Sequence, residues 1–239
     1  MISLMKYKNP IFVAIDTSDL DQALALAKEV RSLVGGFKVG LEFFSSNGAE
    51  GLKKVIELGI PVFLDLKFHD IPNTVSKAVG EVVDLGVSII NVHASGGKAM
   101  MEAAVKSSKN KTHSPPLMAA VTVLTSLDEN DLVTVGQNTP VVSQVERLSL
   151  LAKSCGLDGV VCSANEITHL RKVCGNDFFL IVPGIRPRWA SSGDQKRVMT
   201  PEEAFTLGAD ILVIGRPITG SERPALAAER IVKELNIRQ

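Results

Sequence analysis

The sequence predicts an α/β protein with one domain over residues 1–239, a single (β/α)8 TIM barrel. Three observations carry that expectation. Eight short apolar, β-branched runs alternate with longer stretches of helical spacing. The 239 residues allow about 30 per unit, room for a strand, a helix and two loops. The runs are also nearly uniform in apolar character, as in a parallel sheet covered on both faces. No linker or change in composition divides the chain, and barrels routinely reach roughly 250 residues as one domain. An open doubly wound sheet is disfavoured, because no GxGxxG follows the first run.

Taken in order, the chain opens on the run Ile11–Ile15. A helix is expected over 19–34, where Leu20, Ala23, Leu24, Ala27 and Val30 share one face and Asp19 can cap the first turn. The following runs are 37–40, 61–66, 88–92, 117–123, 159–162, 178–182 and 210–214, each separated by a helical segment. Gly35, Gly59, Gly86, Gly156 and Gly208 stand before successive runs, where a left-handed helix terminus needs no side chain. Gly96-Gly97-Lys98 glances at a phosphate loop. Ala99, however, stands where Ser or Thr must hold magnesium, so that reading is dropped.

Composition narrows the function classes. There are 26 Lys+Arg against 26 Asp+Glu, a net charge of zero, so neither a nucleic-acid polymer nor a membrane surface is an expected partner. With 45% apolar and 22% charged residues the chain is far from the disordered regime. No secretory signal and no stretch of roughly 18 apolar residues is present. Cys155, Cys162 and Cys174 form no CxxC pair, and a reducing cytoplasm is the expected location.

Catalytic groups of a barrel belong at the carboxyl ends of its strands. The polar residues there are Asp16, Lys38, Asp65 with Lys67 and Asp70, His93, Thr125 with Ser126, Arg186, and Gly215 with Arg216. The first three strands alone bring five charges to one rim, tolerable together only as a paired network. Ion pairs can simply close a barrel layer, but a single pair would suffice for that. Asp65 and Lys67 lie two apart on a strand and should share a face. An ammonium flanked by Asp65 and Asp70 stays protonated, which suits a proton donor or an electrostatic role. A Schiff-base lysine needs the opposite environment, and a magnesium site would be thin with Asp65 and Asp70 alone.

The turns at 182–186 and 214–218 follow the seventh and eighth runs, where barrels often bind phosphate. The polar segment 186–197 between them has the character of a closing lid or of a solvated loop. Trp189 within it either covers a ring or is incidental. For His93 a hydrogen-bonded packing role is expected ahead of ligand contact. No HExxH or paired metal-ligand spacing appears.

Asp65-Leu66-Lys67-Phe68-His69-Asp70-Ile71-Pro72-Asn73-Thr74 resembles the DxKxxDIxNT signature of the orotidine 5′-phosphate decarboxylase family. The likeness continues through Ala14-Ile15-Asp16, Phe37-Lys38-Val39-Gly40, Asn91-Val92-His93-Ala94, residues 121–126, and the two late turns. The resemblance implies loss of carbon dioxide from orotidine 5′-monophosphate to give uridine 5′-monophosphate, the last step of pyrimidine nucleotide synthesis, without metal or cofactor. It also implies a catalytic set of Lys38, Asp65, Lys67 and Asp70, with Lys67 protonating the pyrimidine carbon. By the same likeness the enzyme is a homodimer in which Asp70 and Thr74 reach the partner's site. Asp16 and Lys38 would meet the ribose, and Thr125 and Ser126 the base. Gly215, Arg216 and Gln195 would hold the phosphate, with Arg186 on the moving loop. The nearest rival is a magnesium-dependent decarboxylase of a keto-sugar phosphate, which resembles this chain at Asp65, Lys67 and Asp70 but carries Glu where Lys38 stands. A non-catalytic nucleotide-phosphate sensor is the other alternative, although so many desolvated charges are of no use to a mere binder.

Overall fold

The computed structural model describes residues 7–190 and 199–236. The eight predicted runs become β1 (Ile11–Ile15), β2 (Gly36–Val39), β3 (Val62–Phe68), β4 (Ile89–His93), β5 (Leu117–Val121), β6 (Gly159–Val161), β7 (Phe179–Pro183) and β8 (Ile211–Ile214). Between and after them lie α1 (Leu20–Val30), α2 (Leu41–Ile56), α3 (Pro72–Val83), α4 (Gly97–Lys111), α5 (Glu129–Thr134), α6 (Val141–Ser154), α7 (Ile167–Cys174), α8 (Pro201–Thr206), α9 (Arg216–Thr219) and α10 (Pro224–Glu234). Each strand pairs in parallel with the next, and β8 returns to β1 through Val13↔Ile214, so the sheet is a closed barrel. Among the described residues no helix is long and apolar enough to cross a membrane.

The uniform apolar runs are explained by two separate cores. Alternate residues point into the barrel, where Phe12, Ala14, Phe63, Ile89, Ala119 and Val213 pack together. Their strand neighbours, such as Val13, Ile15, Phe37, Leu64 and Ile90, pack outward against the helices. Tyr7 meets Phe12 edge to face at the barrel floor, and burial pushes its phenol up to about 12.

Local signals are mostly realised. The Asp19 carboxylate accepts from the main-chain N–H groups of Asp21 and Gln22, capping α1 as expected. That helix nevertheless ends at Val30 instead of 34, because the next turn tightens through Leu33 N–H to the Val30 carbonyl. β5 stops at Val121, where the Thr122 hydroxyl donates to the Val161 carbonyl. Gly59, Gly86, Gly156 and Gly208 are left-handed, whereas Gly35 is not.

Gly35 has a different reason to be glycine. A Cβ built there would lie 1.8 Å from the Asn9 carbonyl oxygen, so the position serves close main-chain approach. Its own N–H donates to the Ile11 carbonyl, which starts the β1–β2 ladder. Gly35→Ala is expected to destabilise the protein by about 2–3 kcal/mol through overpacking, read as a lowered denaturation midpoint at unchanged slope.

Candidate active site

The carboxyl ends of β1 to β3 build one half of the site. Lys38 lies between the outward-facing Phe37 and Val39, and its register partners Ala14 and Phe63 both face the barrel interior. Its stem is therefore buried (7% exposed), and its Nζ rises to Asp16 Oδ1 at 2.6 Å. A side chain at position 40 would crowd this pair, since a Cβ on Gly40 would come within 3.0 Å of Lys38 Nζ.

In β3 the regular pleat breaks. Pairing with β4 shifts register between Leu64 and Phe68, and Lys67 adopts a left-handed φ of 53°. The expectation that Asp65 and Lys67 meet through simple alternation is thus corrected. They do meet, with Lys67 Nζ 2.7 Å from Asp65 Oδ1, but across a bulge. Such a backbone costs about 1 kcal/mol or more for a non-glycine residue and persists only when its surroundings fix it. Asn91 of β4 does so. Its side-chain oxygen accepts the Lys67 main-chain N–H at 2.8 Å, and its amide donates to Asp65 Oδ1 at 2.6 Å. The sequence reading gave Asn91 no role. The available signal was a carboxamide set between the apolar Ile90 and Val92 of a strand.

Asp70 stands apart from this network. It is exposed, forms no ion pair with the described residues, and is followed by the outward-facing Ile71, 66% exposed, and by exposed Thr74. Among the described residues of one chain Lys67 therefore pairs with Asp65 and not with Asp70. Nor does His93 take a hydrogen bond among the described residues. Its ring packs against that of His69, 5.3 Å away. Burial, reinforced by His69 and Lys67 and opposed by Asp65, lowers the His93 pKa from its ordinary value.

The other half of the site comes from the last strands. A cleft of about 200 Å³ runs from Asp16, Lys38 and Asp65 to Arg186, Gly215 and Arg216. Arg186 lies in the segment that follows β7. It is 5% exposed, and its main-chain N–H donates to the Met199 carbonyl beside the Ile185–Met199 bridge. Trp189 is likewise held, its indole N–H 2.8 Å from Glu234 and the Arg230 guanidinium 4.6 Å over its ring. It therefore docks on α10. Thr125 and Ser126 are exposed in the turn after β5. Gln195 and the lid segment 191–197 lie outside the described residues.

One cleft thus has an anion-binding character at its arginine end and paired ammonium–carboxylate groups at the other. Such a site can grip a phosphorylated ligand at one end while presenting a protonated amine to a reacting atom at the other. Among the described residues no cluster of three or more His, Cys, Asp or Glu is placed to hold a metal.

Comparison with known proteins gives the same picture over the whole barrel. The chain is 52% identical over 233 residues to the orotidine 5′-phosphate decarboxylase of Paramagnetospirillum magneticum, covering 96% of this chain and 99% of that one. It is 53% identical to the enzyme of that name from Rhodospirillum rubrum, covering 95% and 94% of the two chains. A crystal structure of orotidine 5′-phosphate decarboxylase from Lactobacillus acidophilus superposes with a TM-score of 0.85 at 36% identity, covering 95% of this chain and 99% of that one. With its residues 9–231 matched by the corresponding family model, the chain belongs to the orotidine 5′-phosphate decarboxylase / HUMPS family.

Proposed function

We propose that the protein converts orotidine 5′-monophosphate to uridine 5′-monophosphate and carbon dioxide without metal or cofactor, and that Lys67 is the proton donor. The observation that carries this reading is the Lys67 ammonium, held 2.7 Å from Asp65, a carboxylate that lines the cleft. When the bond from the pyrimidine ring to its carboxylate breaks, the electron pair stays on the ring carbon. No adjacent carbonyl spreads that charge, so an ammonium already in position stabilises it without reorganisation and then delivers the proton.

Around that centre, Asp16 and Lys38 serve the ribose, and Thr125 and Ser126 the base. Gly215, Arg216, Gln195 and Arg186 serve the phosphate. Asp70 and Thr74 complete the partner's site in a homodimer. The exposed Asp70 carboxylate next to the exposed apolar Ile71 supports that reading, since a rim of this kind is suited to burial against a second copy. The barrel acts as the single domain of residues 1–239. Three buried free thiols suit a reducing cytoplasm.

Lys38 decides against the magnesium-dependent alternative, because an ammonium paired with Asp16 occupies the position where that chemistry needs a carboxylate. Purified protein is expected to remove the orotate absorbance of orotidine 5′-monophosphate at the same rate with and without EDTA. A rate abolished by the chelator would move the assignment to the metal-dependent reaction, and no loss of absorbance at all would leave only a binder.

A further inference from the structure

Asn91 occupies an unusual place. Along β4 the residues facing into the barrel are Ile89, Asn91 and His93, and the register partner of Asn91 is the interior Ala119. It is 0% exposed, so each of its polar atoms needs a partner or costs roughly 1–3 kcal/mol. Both ends are satisfied by the two residues that matter most to the chemistry, Lys67 through its main-chain N–H and Asp65 through its carboxylate. The Lys67 N–H can only donate, so the carboxamide oxygen must face it and the amide hydrogens must face Asp65. Asn91 and the Lys67 ammonium converge on the same oxygen, Oδ1, which leaves Oδ2 without a partner among the described residues.

We infer that Asn91 is a positioning residue for the decarboxylation, one carboxamide that fixes the Asp65 carboxylate and the left-handed Lys67 backbone in a single relation to each other. This role rests on the function proposed above. Three other classes of side chain fail these requirements. An apolar residue would leave the Lys67 N–H and one side of Asp65 unsatisfied. A second carboxylate would repel Asp65, and a second ammonium would compete with Lys67 for Oδ1. A neutral group that is donor at one end and acceptor at the other holds both without altering the charge of the pair.

Two variants of the full-length protein test it. In Asn91→Ala, kcat is expected to fall about 100-fold while KM for orotidine 5′-monophosphate stays within about threefold, because misplacement of the reacting groups by about 1 Å is costly and the phosphate grip is untouched. Asn91→Asp keeps both size and the acceptor for the Lys67 N–H, and so decides the question if the alanine variant does not fold. It places a carboxylate oxygen about 2.6 Å from Asp65 Oδ1, a separation two carboxylates tolerate only with a shared proton. Its kcat, relative to wild type, should therefore fall about tenfold or more as pH rises and that proton is lost. A folded Asn91→Ala with wild-type kcat, a loss carried by KM alone, or an Asn91→Asp pH profile parallel to wild type would each overturn the inference. Absence of turnover by the wild type would instead overturn the proposed function, and this role with it.

Discussion

Lys67→Ala is expected to abolish turnover, lowering kcat by at least about 10⁴-fold. That figure combines about 100-fold for a positioned proton donor with about 100-fold for a preorganised charge at the reacting carbon. The groups lining the phosphate end of the cleft, Arg186, Gly215 and Arg216, remain, so the nucleotide should still bind. Loss of the ammonium also leaves Asp65 with Asn91 as its one remaining partner among those now bonded to Oδ1. A carboxylate no longer paired repels the carboxylate of the substrate, so orotidine 5′-monophosphate should lose more affinity than uridine 5′-monophosphate, which has none. Calorimetric titration with both nucleotides checks this. Normal turnover by the variant, or equal loss of affinity for both ligands, would remove Lys67 from the role given to it.

The second large effect concerns the proposed dimer. Asp70→Ala should be nearly inactive alone, as should Lys67→Ala. When the two are mixed and allowed to exchange subunits, half of the dimers are mixed, and each mixed dimer carries one site with an intact Lys67 and an intact Asp70. Activity should return to about one quarter of wild type, since a two-fold interface places the same residue of each copy in the other's site. No recovery despite exchange, verified by mass spectrometry of differently tagged copies, would place Asp70 in its own chain's site or outside the reaction. Exposure of Asp70 and Thr74 and the pairing of Lys67 with Asp65 but not Asp70 among the described residues make the shared arrangement the expected one.

The barrel was legible because both faces of each strand are buried, so a continuous apolar run carries the whole signal. The cap at Asp19 was legible for a related reason: the side chain bonds its own first turn and needs nothing distant. Long-range contacts were not. Gly35 reads as a helix terminus, yet it is determined by the main chain of Asn9. Trp189 reads as a loop aromatic, yet its partner Glu234 is 45 residues further on. At Lys67 the spacing of two from Asp65 gave the correct neighbour for an incomplete reason, since the contact depends on a register shift against β4 and on Asn91, 26 residues from Asp65. Residue types at the site were readable. The backbone that aims them was not, because it is set by pairing between strands.

Closure of the sheet through β8 and β1 has a further effect. Asp16, Lys38 and Asp65 belong to the first third of the chain and Arg216 to its last tenth, and they share one cleft because the ring closes where Val13 pairs with Ile214. A nucleotide held at both ends therefore spans the seam of the ring and acts as a clasp between the first and last strands. Ligand affinity and resistance to unfolding are in this way linked through one joint, and a change that loosens the β1–β8 pairing weakens both even where it touches no atom of the substrate.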